Sequence, residues 1–472
     1  MRVISFGAAM LASVVFSCVG IVTMSAEQAG GASPGVPTFS KDVAPIFYAK
    51  CVTCHRPGEI GPMSLITYRD VRPWAASIRD KVSSRVMPPW HADPQYGAFR
   101  NDRSLNSSDI DTIVRWVNGG SPEGSASDLP KLPQLAEGWQ IGKPDMVFEM
   151  ATEFEIPARG TIDYQYFEVP TNFKEDVWIQ AGEARAGDRA HVHHIIVSAI
   201  EPPGSNRPTA MTIRPIPSSN AAPPAAPAAP AAAAAPAAPA APAAPAAGRG
   251  AGRQLTEQQR AAVAARGASN MLVNWAVGED APVHAAGTAK RIPAGSTLVF
   301  QIHYTTNGTP GKDRSRVGFI FSKTPPAREV RTGIIANPMF AIPPGDGNHL
   351  VEAEASFTSD VKIWTMHPHM HFRGKDMTYT ATYPDGRKEI VLRVPKYDFN
   401  WQGDYWLKEP LSLPKGSTLR VTAHFDNSTA NKANPNPNET VRWGDQTWEE
   451  MMIGFMTYTV ESAPAASTTA RR

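Results

Sequence analysis

The sequence predicts a multidomain fold, in which a small all-α domain is followed by two all-β, jelly-roll-like sandwich domains. The chain has 472 residues, enough for several domains that each bury a core. Apolar residues recur at helical spacing before about residue 125, whereas short alternating runs dominate the remainder. Pro-Ala-Gly at 293–295 and Pro-Lys-Gly at 414–416 each precede such a run, which indicates two related sandwiches.

The first 26 residues have the plan of an export signal. Met1 and Arg2 precede an apolar run from Val3 to Met24, and cleavage is expected near Ala26. We therefore expect a periplasmic or otherwise extracytoplasmic protein. The apolar run is long for a signal, so an uncleaved membrane anchor is the alternative.

Composition excludes several classes of protein. The net charge is only +2, so the sequence lacks the strong positive charge that is typical of nucleic-acid-binding domains. If the signal is removed, Cys18 leaves with it, and of the three cysteines only Cys51 and Cys54 remain. One such pair leaves no sulfur for disulfides, zinc–thiolate sites, iron–sulfur clusters or blue copper.

The sequence Cys51-Val-Thr-Cys54-His55 has the spacing of a covalent c-type haem site. Two thiols one helical turn apart bond the haem vinyl groups, and the next histidine binds the iron. Residues 38–125 are therefore predicted to be a cytochrome c domain. Ser40 is expected to cap its first helix, and Gly119 and Gly120 to end its last.

Met87, in Val-Met-Pro-Pro-Trp, lies where small c-type cytochromes supply a thioether as the sixth iron ligand. That ligand would raise the potential and favour electron transfer. The alternatives are His91 as the ligand, or Met87 as packing in the haem pocket.

The β-rich remainder divides into two predicted domains, at 145–325 and 326–462. A segment at about 217–253 is almost pure alanine and proline in its centre, a composition that cannot form a core. Because histidines on both sides of this segment belong to one predicted site, we expect a disordered surface insertion within the first domain.

Histidines in the β-rich region are clustered. They form His191-Val-His193-His194, the isolated His303, and His367-Pro-His369-Met-His371. Residues two apart on a strand share a face, so His369 and His371 can bind one ion. His193 and His194 would face opposite sides of a regular strand, so joint ligation requires a bulge or a twist.

These clusters contain no acidic residue, and Met451 and Met452 follow in a later apolar stretch. Three imidazoles suit copper or zinc, whereas two imidazoles with a thioether suit copper that passes through Cu(I). The donor set therefore favours two copper ions.

Residues of about 145–460 resemble the copper type II, ascorbate-dependent monooxygenases, the family of peptidylglycine α-hydroxylating monooxygenase and dopamine β-monooxygenase. The resemblance rests on four motifs in order: His193-His194, His303-Tyr304, His369-Met-His371-Phe-Arg-Gly-Lys, and Glu449-Glu450-Met451. It implies an electron-storing copper on His193, His194 and His303. It also implies an oxygen-binding, catalytic copper on His369, His371 and Met451, across a solvent-filled cleft between two sandwich domains.

The implied activity is hydroxylation of an activated C–H bond with O2, on a small-molecule or peptide substrate. Electrons would come from an external donor, either ascorbate or a redox protein, through the haem. The animal enzymes have disulfides and no haem domain, and no residue here matches a substrate-carboxylate anchor.

Alternatives remain within this set. His191 or His367 could replace an assigned ligand, and Met452 and Met456 compete with Met451. A cell-envelope electron carrier or copper-binding protein without hydroxylase activity is the second functional hypothesis. A zinc hydrolase on His193, His194 and His303 is a third, which lacks a nearby general base.

Overall fold

The structure is a computed structural model, and it describes residues 35–57, 59, 61–135, 138–202, 209–217, 270–276, 278–279 and 281–461. Among these described residues, 39% lie in strands and 12% in helices, so the fold is mostly β-sheet. The predicted export signal and nearly all of the Ala/Pro-rich insertion lie outside the described residues. None of the described helices combines the length and apolarity needed to cross a membrane.

All described helices lie between residues 39 and 128. The α-helices are α1 (Ala44–Lys50), α2 (Tyr68–Val71), α3 (Ala75–Ser83) and α4 (Ser107–Asn118), with a π-helical turn at Phe39–Val43 and 3₁₀ turns at Arg72–Trp74 and Ala126–Asp128. The α-helices and the π-helical turn share one apolar core that includes Phe39, Phe47, Ile113 and Trp116. Helix α4 ends at Asn118, directly before Gly119, as the sequence predicts.

The predicted cap at Ser40 is wrong. The chain turns at Thr38, whose amide donates to the Asp42 carboxylate at 2.7 Å, and the first turn begins at Phe39. Ser40 is itself buried within that turn. Asn106 caps the start of helix α4, because its side-chain oxygen accepts a hydrogen bond from the Asp109 amide at 2.8 Å.

The described strands begin at residue 146. Their bounds are β1 (Met146–Glu149), β2 (Phe154–Ile156), β3 (Gln165–Pro170), β4 (Val177–Arg185), β5 (Val192–Ile200), β6 (Met211–Ile216), β7 (Met271–Ala276), β8 (Thr288–Ile292), β9 (Thr297–Tyr304), β10 (Gly311–Asp313) and β11 (Arg316–Phe321). They continue as β12 (Arg328–Ala336), β13 (Ala341–Ile342), β14 (His349–Phe357), β15 (Val361–His369), β16 (Gly374–Thr382), β17 (Lys388–Val394), β18 (Tyr405–Leu413), β19 (Thr418–Phe425), β20 (Val441–Arg442) and β21 (Ile453–Val460).

An eight-stranded sheet runs through both halves of the β region, in the order β1-β11-β4-β8-β12-β21-β15-β18. A short parallel pairing of β8 with β12 joins the halves. A four-stranded sheet, β3-β9-β5-β7, shares one core with the first half, and a five-stranded sheet, β17-β16-β19-β14-β6, shares another with the second.

Strand β6 crosses from the first half of the sequence to the second. It precedes the Ala/Pro-rich segment, yet it pairs antiparallel with β14 at the edge of the five-stranded sheet. The pairing extends from Glu352 with Ile216 to Phe357 with Met211. The two halves are therefore connected by the edge strand β6 as well as by the eight-stranded sheet.

The loop that follows α3 packs against the second half of the β region. Its Phe99 forms an isolated bridge with Leu407 of β18, and the Arg100 amide donates to the Trp406 carbonyl at 2.8 Å. The rings of Trp90, Phe99 and Tyr405 lie 5.0–5.9 Å apart with edge-to-face geometry. This aromatic cluster holds the helical region against strand β18.

Phe99→Ala should loosen this contact, because it removes two aromatic pairs worth together about 1–3 kcal/mol. We expect trypsin to cleave the variant at Arg100 and Arg103 faster than it cleaves the unaltered protein. Mass spectrometry of the fragments over time would measure these rates. Phe154→Ala is the matched control, since Phe154 also forms two ring pairs, in the other half. Equal cleavage at these sites in both variants would contradict the assigned contact.

Candidate functional site

The predicted haem ligands line one cavity of about 420 Å³. Cys51, Cys54, His55 and Met87 all line it, together with apolar side chains of the helical core such as Leu65, Ile78 and Val82. Its volume and apolar lining suit a cofactor of haem size. The residues present therefore fit the predicted haem, with Cys51 and Cys54 positioned for attachment.

The His55 ring is oriented by the loop around it. Its Nδ1 lies 3.2 Å from the Met63 carbonyl, which leaves Nε2 for a metal. Gly61 passes close enough that a Cβ there would lie 2.6 Å from His55 Nδ1, so this position requires glycine. Met87 lines the cavity, whereas His91 is not among its described lining residues, which favours Met87 as the sixth ligand.

His193, His194 and His303 come together on adjacent strands. His194 of β5 lies opposite His303 of β9, and the register between these strands shifts between Val192 and His194. The irregularity that the sequence requires for joint ligation is therefore present. One ring nitrogen from each histidine lies within 4.8 Å of the other two.

This cluster suits a metal ion. His193 Nε2 and His303 Nδ1 are buried and have no hydrogen-bond partner among the described residues, which is costly unless a ligand is present. Burial lowers the pKa of His193 to about 4 and that of His303 to about 3, so both rings are neutral and available for coordination at pH 7. Copper or zinc would fit three imidazoles.

His369 is the last residue of β15 and His371 lies in the loop that follows, with the two ring centroids 5.3 Å apart. His369 Nδ1 lies 2.5 Å from Gln402 Oε1, and His371 Nδ1 lies 3.2 Å from the Glu449 carbonyl. Both rings thus present Nε2, and His371 Nε2 is buried without a partner among the described residues. Metal-binding histidines are commonly oriented by such contacts.

The loop after β15 is held by a buried carboxylate. Glu450 accepts from the His371 amide at 2.8 Å and from the Arg373 amide at 2.6 Å. Burial raises the pKa of Glu450 to about 8, against the opposing effect of these amides and of the Arg373 charge. Glu450 thereby positions the histidine loop beside the start of β21.

Of the three candidate methionines, Met451 has the most suitable environment. Met452 and Met456 belong to the core of the second half and are 0% and 1% exposed. Met451 is half-buried and packs in the small cluster with Met271, Ile453 and Phe455. Met271 and Phe455 line the cavity that His369 also lines, whereas Met451 is not among the described residues that line it.

The two histidine clusters lie close together. His193, His194, His367 and His369 line one cavity of about 20 Å³, enough for about one water molecule. Phe399 stacks on His193 at 5.3 Å and lies 6.2 Å from His371 between ring centroids. The resemblance implies an open, solvent-filled cleft, whereas the structure has a small cavity and a buried phenyl ring here.

The structure distinguishes the two alternative histidines. His191 uses both ring nitrogens, with Nδ1 2.7 Å from Asp188 and Nε2 3.1 Å from the Thr309 carbonyl, so it is not a suitable metal ligand. His367 lines the cavity beside His369 but also lies 3.3 Å from Asp404.

Sequence reasoning missed three residues of this site. Phe399 and Gln402 come from the loop before β18, and Tyr164 lies with its ring 4.9 Å from His303. The Tyr164 hydroxyl is buried without a partner among the described residues. Isolated aromatic and amide residues carry no spacing signal, so only the fold could reveal them.

Comparison with known proteins gives no information on the function of this chain. No protein-family model matches the chain, and no curated protein matches it. Among solved structures, the infectious bursal disease virus Gt strain matches with 10% identity and a TM-score of 0.15, over 69% of this chain and 73% of that one. The VP2 subviral particle of the same virus matches with 10% identity and a TM-score of 0.16, over 69% and 74%. Such low scores do not establish a common fold.

Gln402→Ala should weaken copper binding at His369 by about 10- to 100-fold, because the imidazole loses the acceptor that orients it. Titration of the metal-free protein with copper, followed by electron paramagnetic resonance, would measure this. Gln165→Ala is the control, since its amide bonds only locally to Asp163. Unchanged copper affinity in Gln402→Ala would contradict this role.

Proposed function

We propose that the protein is an exported, haem- and copper-containing oxidoreductase of the monooxygenase type. It would use O2 to hydroxylate a C–H bond of a substrate, with electrons delivered through the c-type haem. In this proposal the helical region is a cytochrome c domain, and the β region forms two sandwich domains that each hold one copper ion.

The observation that carries the proposal is the loop from Phe399 to Gln402, which connects the haem cavity to both histidine clusters. Trp401 lines the haem cavity, and the next residue, Gln402, contacts His369. Phe399, two residues before Trp401, stacks on His193 and contacts His371. One four-residue segment therefore contacts both histidine clusters and lines the haem cavity, which supports the use of the three predicted redox sites in one reaction.

A second contact brings the haem attachment site to the same place. A Cβ built on Gly278 would lie 3.5 Å from Cys54 Sγ and 3.8 Å from Trp401 Cζ3. The side chain of Arg103, which also lines the haem cavity, donates to the Gly278 carbonyl. Cys54 and Trp401 thus both lie against the segment that follows β7.

Each group of residues has its own role in this proposal. His193, His194 and His303 would hold the electron-storing copper, and His369, His371 and Met451 the copper that activates O2. Bound copper would supply the oxygen chemistry, while Phe399 and the apolar residues around the clusters keep bulk water away. Gln402 and the Glu449 carbonyl orient the imidazoles.

One observation favours the alternative, a cell-envelope electron-transfer or copper-binding protein without hydroxylase activity. The cavity between the clusters is about 20 Å³, too small for an organic substrate. Electron storage or copper binding needs no substrate cavity. Hydroxylation would require Phe399 or its loop to move.

The test is oxidation of the reduced haem by O2 in copper-loaded protein. With excess reductant removed, we expect copper-dependent haem oxidation and O2 uptake, both slowed about tenfold or more by Met451→Ala. Met339→Ala is the matched control, because Met339 is 77% exposed. Haem oxidation at the same rate without copper would contradict the proposal, and two bound coppers without O2 uptake would favour the carrier.

Trp401→Leu tests the connecting loop. If electrons pass along it, copper-dependent oxidation of the haem should slow, while copper content and the haem absorption spectrum stay unchanged. Trp448→Leu is the control, because Trp448 is exposed. An unaltered rate in Trp401→Leu, measured by stopped-flow absorbance, would show that this residue carries no electrons.

A further inference from the structure

A second group of metal-binding side chains lies beside the predicted copper sites. One ligand atom from each of Glu279, His367 and Asp404 lies within 4.8 Å of the other two. His367 precedes His369 on β15 by two residues, Asp404 directly precedes β18, and Glu279 follows β7. The copper ligands proposed above are not part of this group.

The three side chains are held in place by direct contacts. His367 Nδ1 lies 3.3 Å from Asp404 Oδ1, and the Asp404 amide donates to Glu279 Oε1 at 2.6 Å. The Asn274 side chain donates to the other oxygen of Glu279. Both loops that supply the carboxylates are therefore fixed relative to β15.

The His367 ring points to a missing ligand. This residue is 5% exposed, and its Nδ1 is buried without a hydrogen-bond partner among the described residues, despite the nearby carboxylate. A buried ring nitrogen in this state is costly, and a bound cation would satisfy it. The nitrogen faces Asp404, which supplies the complementary charge.

A neighbouring lysine, Lys290, interacts electrostatically with Asp404 but does not bond to its carboxylate. Lys290 lines the same cavity as His367 and Asp404, but its ammonium bonds to the carbonyls of Met271 and Leu272 and to the Thr332 hydroxyl. An ammonium has three donors, and all three are used by these contacts. Arg103 lines one cavity together with Glu279 and Asp404.

We propose that Glu279, His367 and Asp404 bind a divalent cation distinct from the two predicted coppers. One imidazole and two carboxylates form a donor set that suits zinc or manganese and offers no soft ligand for Cu(I). Cavities of about 50 and 20 Å³ adjoin Asp404, which leaves room for a water molecule as a further ligand.

The site occupies a position between the haem cavity and the copper cavity. Arg103 and Trp401 line both the haem cavity and the cavity beside Glu279 and Asp404. His367 lines the cavity that contains His193, His194 and His369. The cation would therefore hold together the Glu279 loop, the Asp404 loop and strand β15, which meet at the predicted redox sites.

The test uses the full-length protein with haem attached, stripped of metals by a chelator and titrated with Mn²⁺. Electron paramagnetic resonance of the free ion should show one bound equivalent, and Zn²⁺ should compete for it. Asp404→Asn should weaken this binding at least about tenfold, since even residues that only orient a ligand cost that much. Asp376→Asn is the matched control, because Asp376 likewise contacts a histidine, His424, at 2.7 Å.

Glu279→Gln provides a second variant in case Asp404→Asn fails to fold, and thermal unfolding checks both. Absence of Mn²⁺ and Zn²⁺ binding by the folded protein would overturn the proposal. Equal loss in Asp376→Asn would do so too, as would loss in His193→Ala but not in Asp404→Asn. Copper content, measured separately, should stay at two equivalents in Asp404→Asn, so failure of the copper assignment and failure of this site are distinguishable.

Discussion

The contact between the His369 imidazole and the Gln402 amide is the interaction on which the arrangement of this molecule depends. It joins the end of β15 to the loop before β18, and Gln402 also donates to the Phe399 carbonyl at 3.0 Å. This internal bond holds Phe399 between the two histidine clusters. Trp401 of the same loop lines the haem cavity, so one short segment contacts all three predicted redox sites.

Burial of neutral imidazoles imposes a second condition. Burial lowers the pKa of His369 to about 4 and those of His194 and His371 well below their usual value, because a charged ring is poorly solvated there. Each ring can then remain stable only if its nitrogens have partners. Gln402 and the Glu449 carbonyl satisfy one nitrogen each, and the nitrogens that remain define where metal ions would bind.

Several sequence predictions correspond to what the structure describes, and others needed tertiary information. The irregularity at His193 follows from strand periodicity, because two adjacent residues cannot otherwise share a face. The cap at Ser40 was wrong, because the Asp42 carboxylate takes the Thr38 amide and starts the turn two residues earlier. His191 could not be separated from its neighbours by spacing, since only the fold brings Asp188 and the Thr309 carbonyl to its ring.

The sequence by itself determined the local chemistry: the Cys51-Cys54-His55 motif, the clustered histidines, and the change from helical to alternating periodicity. These are properties of residues close in the chain, where backbone geometry limits what neighbours can do. Tertiary structure decided which distant segments meet, including Gln402 with His369, Trp401 with the haem cavity, and Glu279 with His367 and Asp404. These contacts depend on strand order and loop packing, which follow from the balance of many long-range contacts rather than from any local pattern.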